Sequence, residues 1–137
     1  MEKQRLLISS APEKLDASFI HTFLTNSYWA KGRSLEEVKV CIKNSLNFGL
    51  YLDDQQIGYA RVLTDYVYFA YLHDVFIDEK HRGLGYASQL MSHIVGDPSL
   101  QKIKIWRLAT DDAHGLYMKF GFTALKHPHK MMERLRE

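Results

Sequence analysis

The chain has 137 residues, 46% of them hydrophobic and 12% aromatic, enough for one compact domain with a core and too apolar for disorder. Its formal charge of +2, with the lysines and arginines scattered, is a weak footprint for nucleic acid, and no apolar run approaches the roughly 20 residues of a bilayer span. Cys41 is the only cysteine, which excludes an internal disulfide and a cysteine-built metal site. The opening Met1-Glu2-Lys3-Gln4-Arg5 lacks the layout of a secretory signal, so one cytoplasmic domain over residues 1–137 is expected, with neither nucleic acid nor membrane as partner.

Arg5 to Ser9 reads as a first strand, and either Ser10, followed three residues later by Glu13, or Asp16 caps a helix. Phe19, Ile20, Phe23, Leu24 and Tyr28 recur at helical spacing, which predicts one apolar face running toward Lys31-Gly32. Most of that face reads as core, with Tyr28 and Trp29 as the exceptions at its end. Ser34-Leu35-Glu36-Glu37 repeats the capping pattern, and Leu35, Val38, Ile42 and Leu46 form the stripe of a second helix. Cys41, beside it, reads as a small buried hydrophobe. Phe48–Leu52, Ile57–Leu63 and Tyr66–Ile77, separated by turns at 53–56 and 64–65, predict a three-stranded antiparallel meander. Its last strand is apolar on both faces and is expected to lie inside the sheet.

After the charged loop 78–83, Leu84, Ala87, Leu90, Met91, Ile94 and Val95 predict a helix stopping at Gly96-Asp97-Pro98. Ile103–Ala109 reads as a buried strand. Asp111 or Asp112 then caps a short helix through Phe120, Gly121 ends it, and Phe122–Leu125 begins a last strand. This order specifies a layered α+β (mixed α/β) domain.

The chemistry concentrates at Arg82-Gly83-Leu84-Gly85-Tyr86-Ala87, where a strand, a short loop and two glycines lead into a helix. A helix N-terminus offers unpaired N–H groups and partial positive charge, and Gly83 and Gly85 let a phosphate approach the backbone. The turn lacks the Lys-Ser/Thr of a nucleotide-triphosphate P-loop and is not the Gly-x-Gly-x-x-Gly of a dinucleotide fold.

Taken with the preceding Val75-Phe76-Ile77-Asp78-Glu79-Lys80-His81 and the downstream Leu116, Tyr117, Gly121 and Phe122, this turn resembles the pyrophosphate signature of the GNAT superfamily of acetyltransferases. The resemblance implies an acyl-CoA N-acyltransferase fold: a mostly antiparallel twisted sheet flanked by helices, in three α/β/α layers. It implies acetyl-CoA as donor, with Val75 and Ile77 offering main-chain groups to the pantetheine arm and Arg82, Gly83, Leu84, Gly85, Tyr86 and Ala87 holding the pyrophosphate. Thr110 stands where many relatives have an asparagine that contacts the donor. By the same resemblance Tyr117 is the general acid.

For a general base, His73 and Asp74 are adjacent on one strand and point to opposite faces, so only one should reach a cleft. The sequence does not choose between them, and a water relay can replace either. Asp65 and His114 are weaker candidates. His127 and His129 have no third ligand at metal spacing and read as surface, so no metal is expected. Tyr28, Trp29, Lys31 and Arg33, with Tyr66, Tyr68, Phe69 and Tyr71, are candidates to enclose an amine, Lys31 or Arg33 holding any carboxylate. The same aromatics can instead make a homodimer contact. The expected activity is direct acetyl transfer from acetyl-CoA to a primary amine of a small molecule; the alternative is a non-catalytic acyl-CoA sensor.

Overall fold

The computed structural model describes residues 4–136, which form a five-stranded sheet in the order β1-β2-β3-β4-β5. The strands are β1 (Leu6–Ser9), β2 (Leu46–Leu52), β3 (Gln55–Thr64), β4 (Phe69–Ile77) and β5 (Ile105–Arg107). The first four pair antiparallel and β5 pairs parallel to β4. The meander is therefore present, and β4 lies inside the sheet, one strand from the edge. The tight β2–β3 turn holds Asp53 and Asp54 at φ 49° and 68°, the left-handed pair that matches strand twist, so Gln55 and Gln56 already belong to β3.

Helices cover both faces. On one, α1 (Ala17–Thr25) and α2 (Leu35–Lys43) bury Ile20, Leu24 and Val38 against Tyr59 and Phe76. On the other, Leu90, Met91 and Ile94 of α3 (Tyr86–Val95) pack on Phe48, Leu50, Ala60 and Val62, and Tyr117 of α4 (His114–Met118) joins the same core. This is the expected three-layer arrangement. Asp16 caps α1 through the Phe19 N–H at 3.0 Å. Ser34 and Glu37 close a reciprocal capping box on α2, which satisfies two otherwise orphaned donors.

Several elements differ from the sequence expectation. The helix predicted to reach Gly32 stops at Thr25, so Tyr28 and Trp29 leave the helix and sit in a loop. Leu46 opens β2 instead of extending α2. Residues 65–68 are a loop because the Asp65 carboxylate accepts from the N–H groups of Val67, Tyr68 and Phe69 at 2.9, 2.7 and 3.1 Å, a local alternative to a strand ladder. The strand predicted over 103–109 shortens to three residues, and α4 is shorter than predicted at both ends. Neither Asp111 nor Asp112 caps α4; the Thr110 hydroxyl accepts from Ala113 N–H at 3.1 Å instead. No strand follows β5 among the described residues, because Phe122 packs edge-on against Trp106 and Tyr117 instead of entering a ladder.

Candidate active site

Two irregularities in β4 make the site. Tyr59 opposes Phe76 while Arg61 opposes His73, so one residue of β3 faces two of β4. That is a bulge, and Asp74 sits in it at φ 54°. Pairing between β4 and β5 ends at Tyr71 and Arg107, so residues 72–77 have no partner strand on that side. Main-chain groups along that edge, those of Val75 among them, lack a strand partner, while the Ile77 carbonyl accepts from Arg82 Nε.

Two cavities meet there. The first, about 880 Å³, runs beside Phe19, Phe23, Val75, Ile77, Lys80, Arg82 and Ala87 to Leu116 and Tyr117. The second, about 410 Å³, is walled by Tyr71, His73, Asp74 and residues 108–113. Tyr28, Trp29, Val75, Asp112, Ala113 and Tyr117 line both. Tyr28 crosses the split: its hydroxyl stands 3.4 Å from Asp112 Oδ1 and accepts from Asp111 N–H at 3.3 Å.

At the outer end of the larger cavity, Gly83 and Gly85 adopt φ 77° and 84°, and a Cβ on either would meet no atom within 4 Å. Glycine is thus required by backbone conformation, and the space above each stays open to a ligand. Gly85 is the N-cap of α3 with no side-chain cap, leaving the first amides of a ten-residue helix for an anion. Arg82 lies on the cavity wall with its Nε donating to the Ile77 carbonyl at 3.3 Å and its guanidinium 5.7 Å from the Phe23 ring centre. Lys80 adds a second cation to that wall. The turn thus fits a pyrophosphate in charge, donors and clearance.

Asp74 is the best-held side chain of the site. Its Oδ1 accepts from Trp29 Nε1 at 2.8 Å and lies 3.0 Å from His73 Nδ1; its Oδ2 accepts from Arg33 Nη1 and Arg61 Nε, both at 2.6 Å. Burial pushes its pKa up, but hydrogen bonds from His73, Arg61 and Arg33 outweigh that and hold the carboxyl well below the ordinary carboxylate range. A saturated carboxylate is a poor base. His73 Nδ1 faces both the Asp74 carboxylate, an acceptor, and at 3.4 Å the Arg61 Nη2 donor. His73 is partly exposed and lines the second cavity.

Tyr117 is 8% exposed, and its hydroxyl has no hydrogen-bond partner among the described residues. Burial, with smaller contributions from Tyr28 and Asp112, pushes its pKa up to about 12. It therefore remains protonated in neutral solution, a donor held at the wall common to both cavities.

Other predicted residues lie elsewhere. Lys31 lines neither cavity, and Arg33 is committed to Asp74. Thr110 borders the second cavity only, with its hydroxyl engaged by the turn before α4. Leu84 is exposed, and Tyr86 packs on the core; neither lines either cavity. Tyr66, Tyr68 and Phe69 are exposed and border neither cavity. Sequence reasoning missed Arg61; a lone arginine within the apolar run Ile57–Leu63 was the available signal, since a buried charge needs a partner. No cluster of three or more metal-ligating side chains occurs among the described residues, and none of their helices is long and apolar enough to cross a membrane.

The chain and its fold resemble known proteins. Residues 43–124 match the profile of the acetyltransferase (GNAT) domain. A crystal structure from Xanthomonas campestris pv. campestris, of a candidate acetyltransferase of that family, is 42% identical, covering 96% of this chain and 94% of that one with a TM-score of 0.93. A candidate acetyltransferase of Gibberella zeae is 27% identical over 132 residues, covering 79% of this chain and 73% of the relative. A more distant structure, from Clostridium acetobutylicum and solved with acetyl-CoA, is 14% identical with a TM-score of 0.68, covers 97% of this chain and 96% of that one, and shares the fold. The chain belongs to the GNAT acetyltransferase family.

Proposed function

We propose that this protein transfers an acetyl group from acetyl-CoA directly to a primary amine of a small molecule, with the donor in the larger cavity and the acceptor in the smaller. The observation that carries the reading is Tyr117: a buried, protonated phenol without a partner, at the wall where the two cavities meet. Thioester aminolysis needs a neutral attacking amine and a proton for the departing thiolate.

In this reading the unpaired edge of β4 at Val75 and Ile77 holds the pantetheine arm, and the turn Arg82 to Ala87 holds the pyrophosphate. The amine nitrogen bonds to the acetyl carbon as the carbon–sulfur bond breaks. Of the two protons that the ammonium sheds, one leaves through the His73 ring to solvent. The other restores Tyr117 after its hydroxyl has protonated the sulfur. Asp74 holds the His73 ring and takes no proton itself, so of the two base candidates the local hydrogen bonding favours His73.

The test is a broad panel of primary amines with acetyl-CoA, following thiol release and acetylated product. Turnover with any amine, abolished by omitting the amine, is the expected result. Binding of acetyl-CoA without turnover across the panel would make the protein an acyl-CoA sensor on the same fold.

A further inference from the structure

The acceptor cavity carries a charge pattern that selects among amines. Its lining residues are Tyr28, Trp29, Tyr71 and Tyr117 on the aromatic side, with Asp74, Asp111 and Asp112 as the acids; no lysine or arginine is among them. Asp74 is spent on two guanidiniums: Arg33 and Arg61 both grip Oδ2 while the cavity-lining His73 and Trp29 face Oδ1, and neither arginine lines the cavity.

Asp111 and Asp112 differ. Both are exposed at the cavity mouth, and neither forms an ion pair with a lysine, arginine or histidine among the described residues. Asp112 receives only the long contact from the Tyr28 hydroxyl. A second observation marks the same space as a ligand site. Tyr117, nine-tenths buried as a residue and with its hydroxyl unpartnered among the described residues, belongs to the wall shared with Asp112.

We propose that the acceptor is a dicationic alkyl amine without a carboxylate: a diamine or a longer polyamine. One nitrogen, deprotonated, reacts between His73 and Tyr117. A second stays protonated between the Asp111 and Asp112 carboxylates and the Tyr28 and Trp29 rings, a combination that attracts an ammonium through charge and ring quadrupole. A carboxylate at that end of the substrate finds no cation and meets two like charges. The cation expected for a substrate carboxylate, Lys31 or Arg33, does not serve: Lys31 lies off the cavity and Arg33 is engaged. This inference rests on the acetyl-transfer reading above.

Three acceptors of equal length that differ only at the far end test it: 1,4-diaminobutane, butylamine and 4-aminobutanoate, each with saturating acetyl-CoA and thiol release as readout. We expect kcat/KM to be about tenfold higher for the diamine than for butylamine, the scale of exposed charge pairs plus a cation–π contact, and lowest for the amino acid. In the double variant Asp111→Asn, Asp112→Asn, the diamine-to-butylamine ratio is expected to fall toward one. Both positions are exposed, and the melting temperature of the variant checks that it folds. Equal or better use of 4-aminobutanoate, or a ratio that survives the double substitution, overturns the proposed selectivity and leaves acetyl transfer standing. Failure of all three acceptors, together with the broad amine panel, overturns both.

Discussion

Asp74 gathers four donors onto two oxygens, and that concentration makes it the residue whose loss is felt most widely. Asp74→Ala leaves the Arg33 and Arg61 guanidiniums unpaired in largely buried positions, so a loss of about 3–5 kcal/mol in urea unfolding at neutral pH is expected. The folded-state pKa lies below the ordinary value of 3.8. The unfolded chain therefore binds the proton first, and the stabilisation is present above about pH 4 and lost as pH falls below it. The wild-type protein should weaken through that window, and Asp74→Ala should show a flatter profile there.

Tyr117→Phe keeps the ring packed on Phe122 and removes the proton, so kcat is expected to fall about 10²–10⁴-fold with little change in acetyl-CoA affinity. With its pKa at about 12, Tyr117 imposes no loss of activity until strongly alkaline pH. His73→Gln should behave differently. Its defect is largest near neutrality and shrinks as pH approaches the amine pKa of about 10, where acceptor becomes neutral without help. A pH–rate profile separates the two variants. Tyr117 stands out in the sequence as a candidate because it sits in a local motif, whereas three of the four partners of Asp74 stand 13, 41 and 45 residues away, and no periodicity links them.

The turn into α3 can be tested as an element. Gly85→Asp places a carboxylate and a Cβ over the first amides of the helix at φ 84°, so the thermal shift given by acetyl-CoA is expected to vanish. Gly85→Ala is the companion: it shares the left-handed strain, about 1–2 kcal/mol, without the negative charge, and should retain a reduced shift. Local signals were the readable ones at this scale. The Ser34–Glu37 box and the glycines of this turn act over a few residues, so the chain spells them out. The extent of β5 and the absence of a strand at 122–125 were not readable, because a strand exists only where a neighbour offers a ladder. Apolar alternation does not reveal which neighbour is free. The bulge at Asp74 is likewise a property of the β3–β4 pair and of no single segment.

At the scale of the molecule, the larger cavity is shared by parts distant in sequence: Phe19 and Phe23 from α1, Ile77 from β4, and Leu116 and Tyr117 from α4. The three-layer order was legible because each element carries its own hydrophobic period; which elements enclose the site was not. A ligand that touches all of them binds only the assembled form, and acetyl-CoA at 100 times its Kd is expected to add about 2.7 kcal/mol to the unfolding free energy.

The short joint between β4 and β5 has a further consequence for how that assembled form breathes. Three residue pairs tie the C-terminal wall to a sheet whose other strands share much longer registers. Amide hydrogens at 105–107 and in α4 are therefore expected to exchange with deuterium through sub-global opening, well before those of β2 and β3. Donor bound across the split closes that route, so exchange in this segment should slow as acetyl-CoA saturates while the meander hardly changes. A solvent-viscosity dependence of kcat would identify release of the spent donor as the step that paces turnover.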